Sequence, residues 1–143
     1  ETKNANGGAG FTEYNDGTIQ FETTQWSQGY YDNGKIWQTF TLPEGKYEMR
    51  IEVKNAANIG SGSTNIHFAV AQGESLPDNE ELEKSDIILS YLKFESEHTN
   101  KTSALPIFEL TEEKTITVGW VVSFSDICRN IEFKSVRLWS VAE

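Results

Sequence analysis

The chain has 143 residues, of which 37% are hydrophobic and 24% charged, a globular composition that is long enough for one buried core. Twelve Lys and Arg against 22 Asp and Glu give a formal net charge of −10, which repels phosphate backbones and anionic lipid head groups. We therefore expect one soluble domain that neither binds nucleic acid nor inserts into a membrane.

The chain opens on a polar stretch, residues 1–10, with the composition of a flexible linker. We expect this linker to join residues 11–143, the predicted folded domain, to other domains of a parent chain. Within the domain, short runs rich in apolar and aromatic residues are bounded by Gly, Pro, Asn and Asp, which predicts strands. These runs are 11–14, 18–21, 36–42, 47–53, 66–71, 87–94, 107–110, 116–124 and 131–141.

Three of these runs carry more detail. Run 47–53 alternates apolar with charged residues, as a strand with one solvent-exposed face does. Run 116–124 alternates large apolar residues with smaller ones, which predicts a central strand that is covered on both faces. In run 131–141 the apolar phase switches part-way, which predicts a β-bulge near Lys134 and Ser135.

Only one segment, 76–84, has helical character, with Asp78 as a candidate cap and Glu81 in position to return the hydrogen bond. About eight or nine short strands without alternating helices predict antiparallel sheets packed face to face. The predicted fold is therefore an all-β sandwich of the jelly-roll class with at most one short helix.

Motifs for catalysis do not stand out. A serine nucleophile needs a base, and the two imidazoles, His67 and His98, lie in no G-x-S-x-G or related context, so we expect both to be structural or at the surface. The carboxylates that cluster lie in ordinary solvated positions. Cys128 has no partner for a disulfide or a metal, and we expect a buried thiol. We predict a domain that is not an enzyme and needs no cofactor.

One stretch, residues 25–37, concentrates aromatic and amide side chains that a loop seldom carries. Sugars stack their C–H faces on aromatic rings and share hydrogen bonds with Asn, Asp and Gln, so this mixture favours a glycan ligand, although large aromatics also plug the end of a sandwich. If Phe40 faces the core, Trp37 faces away from it. Trp120 is expected in the core, and the direction of Trp139 is undecidable past the bulge. The candidate ligand-binding residues are Trp26, Gln28, Tyr30, Tyr31, Asp32, Asn33 and Trp37.

Three stretches resemble a known family: 35–47 with its L-P-x-G-K-Y turn, 68–77, and 131–138. From about Phe11 onward the chain is similar to the C-terminal β-sandwich domains of unknown function in surface lipoproteins of gut Bacteroidetes, in the galactose-binding-like and carbohydrate-binding-module-like group. The resemblance implies a jelly roll, an exported protein at the cell surface (outer membrane) or in the periplasm, and a role in glycan binding. Sugar-binding members of the wider group often use loops at one end of the sandwich and in some cases hold a structural calcium ion, which leaves a metal open here.

The leading hypothesis is a non-catalytic carbohydrate-binding accessory domain. The first alternative is a structural or protein-interaction module of a surface lipoprotein without a sugar ligand. The third hypothesis is a small glycoside hydrolase or lyase, which no motif in the sequence supports.

Overall fold

The computed structural model describes residues 2–3, 11–13, 17–23, 31–57, 59, 64–126 and 128–142. Within them the chain forms two antiparallel sheets, so the predicted all-β sandwich is confirmed. Sheet A has the strand order β1-β4-β10-β6-β7, and sheet B has the order β2-β3-β11-β5-β8, with β9 also pairing with β5. The strands are β1 (Thr2–Lys3), β2 (Phe11–Glu13), β3 (Ile19–Thr23), β4 (Tyr31–Leu42), β5 (Gly45–Ala57), β6 (Thr64–Gln72), β7 (Ile88–Lys93), β8 (Lys101–Ala104), β9 (Phe108–Leu110), β10 (Lys114–Phe124) and β11 (Arg129–Val141). A four-residue helix, α1 (Asn79–Leu82), and a 3₁₀ turn (Ser96–His98) lie between strands.

The main core lies between the two sheets. In β5 the predicted alternation holds, with Tyr47, Met49, Ile51 and Val53 buried. Trp120 of β10 is the largest fully buried side chain, and its ring stacks on Phe133 of β11 with 4.7 Å between the ring centroids, so its predicted place in the core is confirmed.

A second, smaller core covers the outer face of sheet A. β10 lies in the middle of that sheet, between β4 and β6, as its sequence predicts. The segment 73–87, which contains α1, crosses the sheet and buries Leu76 and Leu82 against Ala69, Ala71 and Val121. This cover explains why β10 carries apolar residues on both faces.

The β-bulge in β11 falls where the sequence predicts it. The pairing of β11 with β5 shifts register around Phe133 and resumes at Ser135, opposite Glu52. Beyond the bulge, Val136 and Leu138 pack against the core, and the residues that alternate with them face outward. Trp139, whose direction the sequence left open, is therefore an outward residue of sheet B and is 46% exposed.

Three local expectations need correction. Asp78 occupies the N-cap position of α1 without a capping hydrogen bond, because its carboxylate pairs with Lys35 Nζ at 2.6 Å instead. Cys128 is exposed rather than buried, since it lies in the turn between β10 and β11 with φ of 59° and not on the inner face of a strand. Thr2 and Lys3, in the stretch expected to be linker, pair with Ile36 and Lys35 of β4.

Candidate functional site

The seven candidate ligand-binding residues do not form one cluster. Trp26, Gln28 and Tyr30 lie outside the described residues. The other four lie on β4, which begins at Tyr31 and not at Ile36 as expected. Tyr31, Asp32, Asn33 and Trp37 therefore belong to one strand, and the direction of each side chain decides what it can contact.

Tyr31 is a core residue, which corrects its assignment as a ligand contact. Its ring is 2% exposed and makes edge-to-face contacts with Phe21 and Phe124, with centroids 5.1 and 5.5 Å apart. Burial raises the pKa of the Tyr31 phenol to about 12. Because both ring faces are covered, Tyr31 has no surface on which a sugar could stack.

Asn33 is the hub of a buried polar network and not an open ligand. Its backbone is left-handed, with φ of 56°. The backbone N–H of Asn79 donates to Asn33 Oδ1 at 2.7 Å, and the backbone N–H of Asn33 donates to Ser123 Oγ at 3.0 Å. The Asn33 amide also donates to Glu80 Oε2 at 3.3 Å. Asn33 thus ties the start of α1 to sheet A, and its hydrogen-bonding groups are already used.

Asp32 is exposed and accepts a hydrogen bond from Asn33 Nδ2 at 3.3 Å. Lys35 lies between Asp32 and Trp37 along β4, on the same face as Trp37. Its ammonium donates to the Leu76 carbonyl at 3.0 Å and to Asp78, which fastens the segment 73–87 across the strand. Asp32 and Trp37 therefore lie on opposite sides of this crossing.

Trp37 is half-buried on the outer face of sheet A, directed away from the core as the alternation predicts. Opposite it on β10 stands Gly119, where a Cβ would lie 2.1 Å from the Ile36 carbonyl oxygen and 2.9 Å from Trp37 Cβ. Both distances are shorter than van der Waals contact. Gly119 is thus required for β4 to lie this close to β10 with the Trp37 side chain beside it.

A depression of about 440 Å³ opens beside Trp37 and is lined by Gln38, Thr39 and Glu74. The turn that carries Glu74 is fixed to sheet A, because Gly73 N–H donates to the Thr115 carbonyl at 2.9 Å and Thr117 Oγ1 donates to the Gly73 carbonyl at 2.7 Å. We name Trp37, Gln38, Thr39 and Glu74 the Trp37 face. The alternation of β4 directs the Trp37 and Thr39 side chains to this face and the Gln38 side chain to the other, so the face combines one aromatic ring with a hydroxyl and a carboxylate that solvent can reach.

Comparison with known proteins agrees with this architecture. The chain belongs to the DUF5013 family, a domain of unknown function whose family model matches residues 1–119. None of the curated proteins matches the chain in sequence.

Solved structures share the fold at low sequence identity. The module TmCBM61, solved in complex with β-1,4-galactotriose, is 11% identical with a TM-score of 0.52 over 99% of this chain and 88% of that chain. Xylanase10C from Cellvibrio japonicus, solved with xylopentaose, is 14% identical with a TM-score of 0.55 over 94% of this chain, which spans 25% of that chain. A structure of accessory secretory protein 1, 2 and 3 from Streptococcus pneumoniae is 6% identical with a TM-score of 0.50 over 92% of this chain and 88% of that chain. At these identities the likeness concerns the fold alone.

The two imidazoles are satisfied within the structure. His67 is fully buried, with Nδ1 2.8 Å from Asn79 Oδ1 and Nε2 2.8 Å from Glu83 Oε2. The hydrogen bond from His67 lowers the pKa of Glu83 below its ordinary value. His98 lies in the 3₁₀ turn, where its Nδ1 accepts from the backbone N–H of Glu95 at 2.9 Å. Both side chains have structural roles, as expected.

In the part of the chain that the structure describes, no group of three or more His, Cys, Asp or Glu side chains is placed to hold a metal ion. Over the same residues, no helix has the length and apolar character needed to cross a bilayer.

Sequence reasoning missed three residues of the surface. Glu74 is far from Trp37 along the chain, and no local pattern predicts that the turn after β6 folds back beside β4. Thr39 could have been included, because residues two apart on a strand share a face. Trp139 could not have been included, because the direction of its side chain depends on the exact position of the bulge in β11, which the sequence does not give to the residue.

Proposed function

We propose that this domain is a non-catalytic carbohydrate-binding module whose ligand stacks on the indole of Trp37. The observation that carries the proposal is the Trp37 face itself, where a partly exposed aromatic ring lies at a depression lined by polar groups. Sugar rings present apolar C–H faces that pack on indole and hydroxyls that need both donors and acceptors.

The polar side chains of the Trp37 face suit hydroxyl groups. The Glu74 carboxylate accepts hydrogen bonds, and the Thr39 hydroxyl, whose own hydrogen goes to Thr117 Oγ1, accepts them as well. Thr39 Oγ1 lies 2.9 Å from Thr117 Oγ1, which orients it on the sheet. A carboxylate at the rim disfavours anionic ligands, so the expected ligand at this face is a neutral oligosaccharide.

The fold gives further support to the ligand class. The solved structures of TmCBM61 and Xylanase10C, which are similar to this chain, hold galactotriose and xylopentaose. Fold similarity does not transfer a ligand, and the Trp37 face is what makes sugar the proposal for this chain. We further propose that the domain serves as an accessory part of a longer exported chain, at the cell surface or in the periplasm.

A protein-interaction module is the second candidate, and one observation favours it. Among the described residues, β4 beyond Ile36 has β10 as its only strand neighbour, which leaves the backbone of residues 37–42 open on the other side. An open edge of this kind can pair with an extended segment of another protein.

The test is calorimetric titration with β-1,4-galactotriose, xylopentaose and cello-oligosaccharides, because a Trp variant would lose its own fluorescence signal. We expect one neutral oligosaccharide to bind wild type and Trp37→Ala to bind it at least about tenfold more weakly, a loss of about 1.4 kcal/mol or more. The control is Ile107→Ala, which truncates an exposed apolar residue outside the Trp37 face and should bind like wild type.

Equal affinity of wild type and Trp37→Ala, or no binding across the panel at millimolar concentrations, would contradict the proposal. Capture of an extended peptide along residues 37–42, abolished by a Thr39→Pro or Thr41→Pro substitution, would support the protein-interaction module instead.

A further inference from the structure

A second surface with binding character lies on the outer face of sheet B. Trp139 and Arg137 of β11 and Arg50 of β5 stand on this face, together with Thr102 of β8. These residues line a groove of about 200 Å³ that also includes Glu52 and Ser135. We name this surface the Trp139 face. It lies on the opposite side of the sandwich from the Trp37 face, because the two are the outer faces of different sheets.

Two like charges face each other in this groove. Arg137 is the direct cross-strand partner of Arg50. Like charges directly opposite in an antiparallel pair destabilise a sheet. The chain has 12 basic against 22 acidic residues, so an arginine opposite an arginine is not a consequence of composition. A ligand with a negative charge would relieve the repulsion between them.

Only one of these two arginines forms an ion pair with a carboxylate among the described residues. Arg50 Nε donates to Glu48 Oε1 at 2.6 Å, and its guanidinium carbon lies 5.5 Å from the centroid of the Trp139 ring. Arg137 is exposed, and in the described part of the chain it has no carboxylate partner within ion-pair distance. A guanidinium offers a planar fork of donors that fits a carboxylate with two parallel hydrogen bonds.

The aromatic ring beside the arginines is held in place and still open. The contact with Arg50 orients Trp139 through a cation–π interaction. At 46% exposure, Trp139 is one of two large apolar side chains that stand this far into solvent among the described residues. A fixed, exposed indole is what a sugar ring needs as a stacking surface.

We propose that the Trp139 face is a second saccharide site, selective for a sugar that carries a carboxylate, that is, a uronic acid. The pyranose ring stacks on Trp139, and the carboxylate binds the guanidinium of Arg137 through two hydrogen bonds. The hydroxyls of Thr102 and Ser135 and the carboxylate of Glu52 bind ring hydroxyls. Glu48 and Glu52 flank the arginines, so a single carboxylate fits the groove and a densely sulfated chain is repelled by it.

The test uses a matched pair of ligands and matched variants. Trigalacturonate and its methyl ester share a backbone and differ in charge. Calorimetry at about 50 mM salt limits the screening of exposed charges, so a contribution of the ligand carboxylate to affinity can be measured. We expect wild type to bind the acid and not the ester. We expect Arg137→Gln and Trp139→Ala each to weaken binding at least about tenfold, and Arg137→Lys to weaken it less.

The control variant is Lys101→Gln on the neighbouring strand β8, which removes the same charge at an exposed position outside the groove and should leave affinity within about twofold. Thermal melting separates binding from folding. Because Arg137→Gln removes a like-charge pair, its melting temperature should equal or exceed that of wild type.

Four results would overturn the proposal. The first is equal affinity for trigalacturonate and its methyl ester. The second is affinity for trigalacturonate that Arg137→Gln and Trp139→Ala leave unchanged. The third is no binding, at millimolar concentration, of trigalacturonate or of xylo-oligosaccharides that carry a glucuronate. Loss of acidic-sugar binding in Trp37→Ala alone would assign that ligand to the Trp37 face and also overturn this proposal.

Discussion

The two halves of β4 differ in what surrounds them, although the sequence presents them as one aromatic and amide-rich stretch. At its start, Tyr31 is packed into the core between Phe21 and Phe124. Asn33 is held there by hydrogen bonds to Asn79 at the start of α1 and to Ser123. Further along, Trp37 stands on the outer face at a depression. The side chains of a strand alternate between faces, so residues that are neighbours in sequence do not share one site.

The contrast also shows how a strand can carry a binding face and a structural anchor together. Lys35 lies between the two halves of β4. Its ammonium binds the segment 73–87 through the Asp78 carboxylate and the Leu76 carbonyl. The anchor holds α1 and the turn with Glu74 against sheet A, and that turn borders the Trp37 face. Substitutions in the first half should therefore change stability, and substitutions in the second half should change binding.

The largest effect is expected at Tyr31. Tyr31→Ala removes a fully packed ring from the core and should lower the free energy of unfolding by roughly 3 to 5 kcal/mol, whereas Tyr31→Phe should cost about 1 kcal/mol. Trp37→Ala should cost less than half as much as Tyr31→Ala, because its ring is only half-buried. Urea denaturation measures all three. Equal losses for Tyr31→Ala and Trp37→Ala would remove the distinction between the two halves.

A smaller loss is expected at Asn33. Asn33→Ala removes the acceptor for the Asn79 backbone N–H and places a residue with a Cβ but no polar group at φ of 56°, which together should cost about 1 to 3 kcal/mol. Asn33→Gly loses the same hydrogen bonds but adopts this backbone without strain, so it serves as the control with a smaller loss. Denaturation reports stability, and calorimetry should show unchanged sugar affinity in both variants. A tenfold loss of affinity in Asn33→Gly would instead make Asn33 part of the ligand site.

The smallest effect is expected from Glu83 and depends on pH. The folded state lowers the pKa of Glu83, so the ionised carboxylate stabilises the fold above its ordinary pKa, and this contribution is lost as the pH falls through the lowered value. Wild type should therefore lose stability more steeply than Glu83→Gln between pH 5 and about 2.5. Urea denaturation at stepped pH measures both slopes, and parallel curves would show that His67 does not bind Glu83 in solution.

Much of the fold could be predicted from the sequence, because alternation is a local signal. The inner residues of β5, the central place of β10 and the bulge in β11 all follow from the period of the apolar residues. The start of β4 could not be predicted, since Asp32-Asn33-Gly34 has the composition of a turn. In the structure this triplet stays in the strand, where the pairing with β10 shifts register and Asn33 takes the left-handed backbone.

The candidate site could be predicted only in part, for a related reason. The outward direction of Trp37 followed from parity within one strand. The burial of Tyr31 depended on where that strand begins, and the approach of Glu74 depended on hydrogen bonds between Gly73 and β10 that no local pattern encodes. The pairing of Arg50 with Arg137 required the register across two strands on the far side of a bulge.

The most direct test of the central claim, that the exposed half of β4 binds sugar and the buried half does not, follows the four indole N–H resonances by NMR during titration with the oligosaccharide that calorimetry selects. Each resonance is assigned with a single Trp→Phe variant. We expect the Trp37 signal to move in a saturable way while that of Trp120, buried in the core, stays in place. A saturating titration in which the Trp37 signal does not move would contradict the claim.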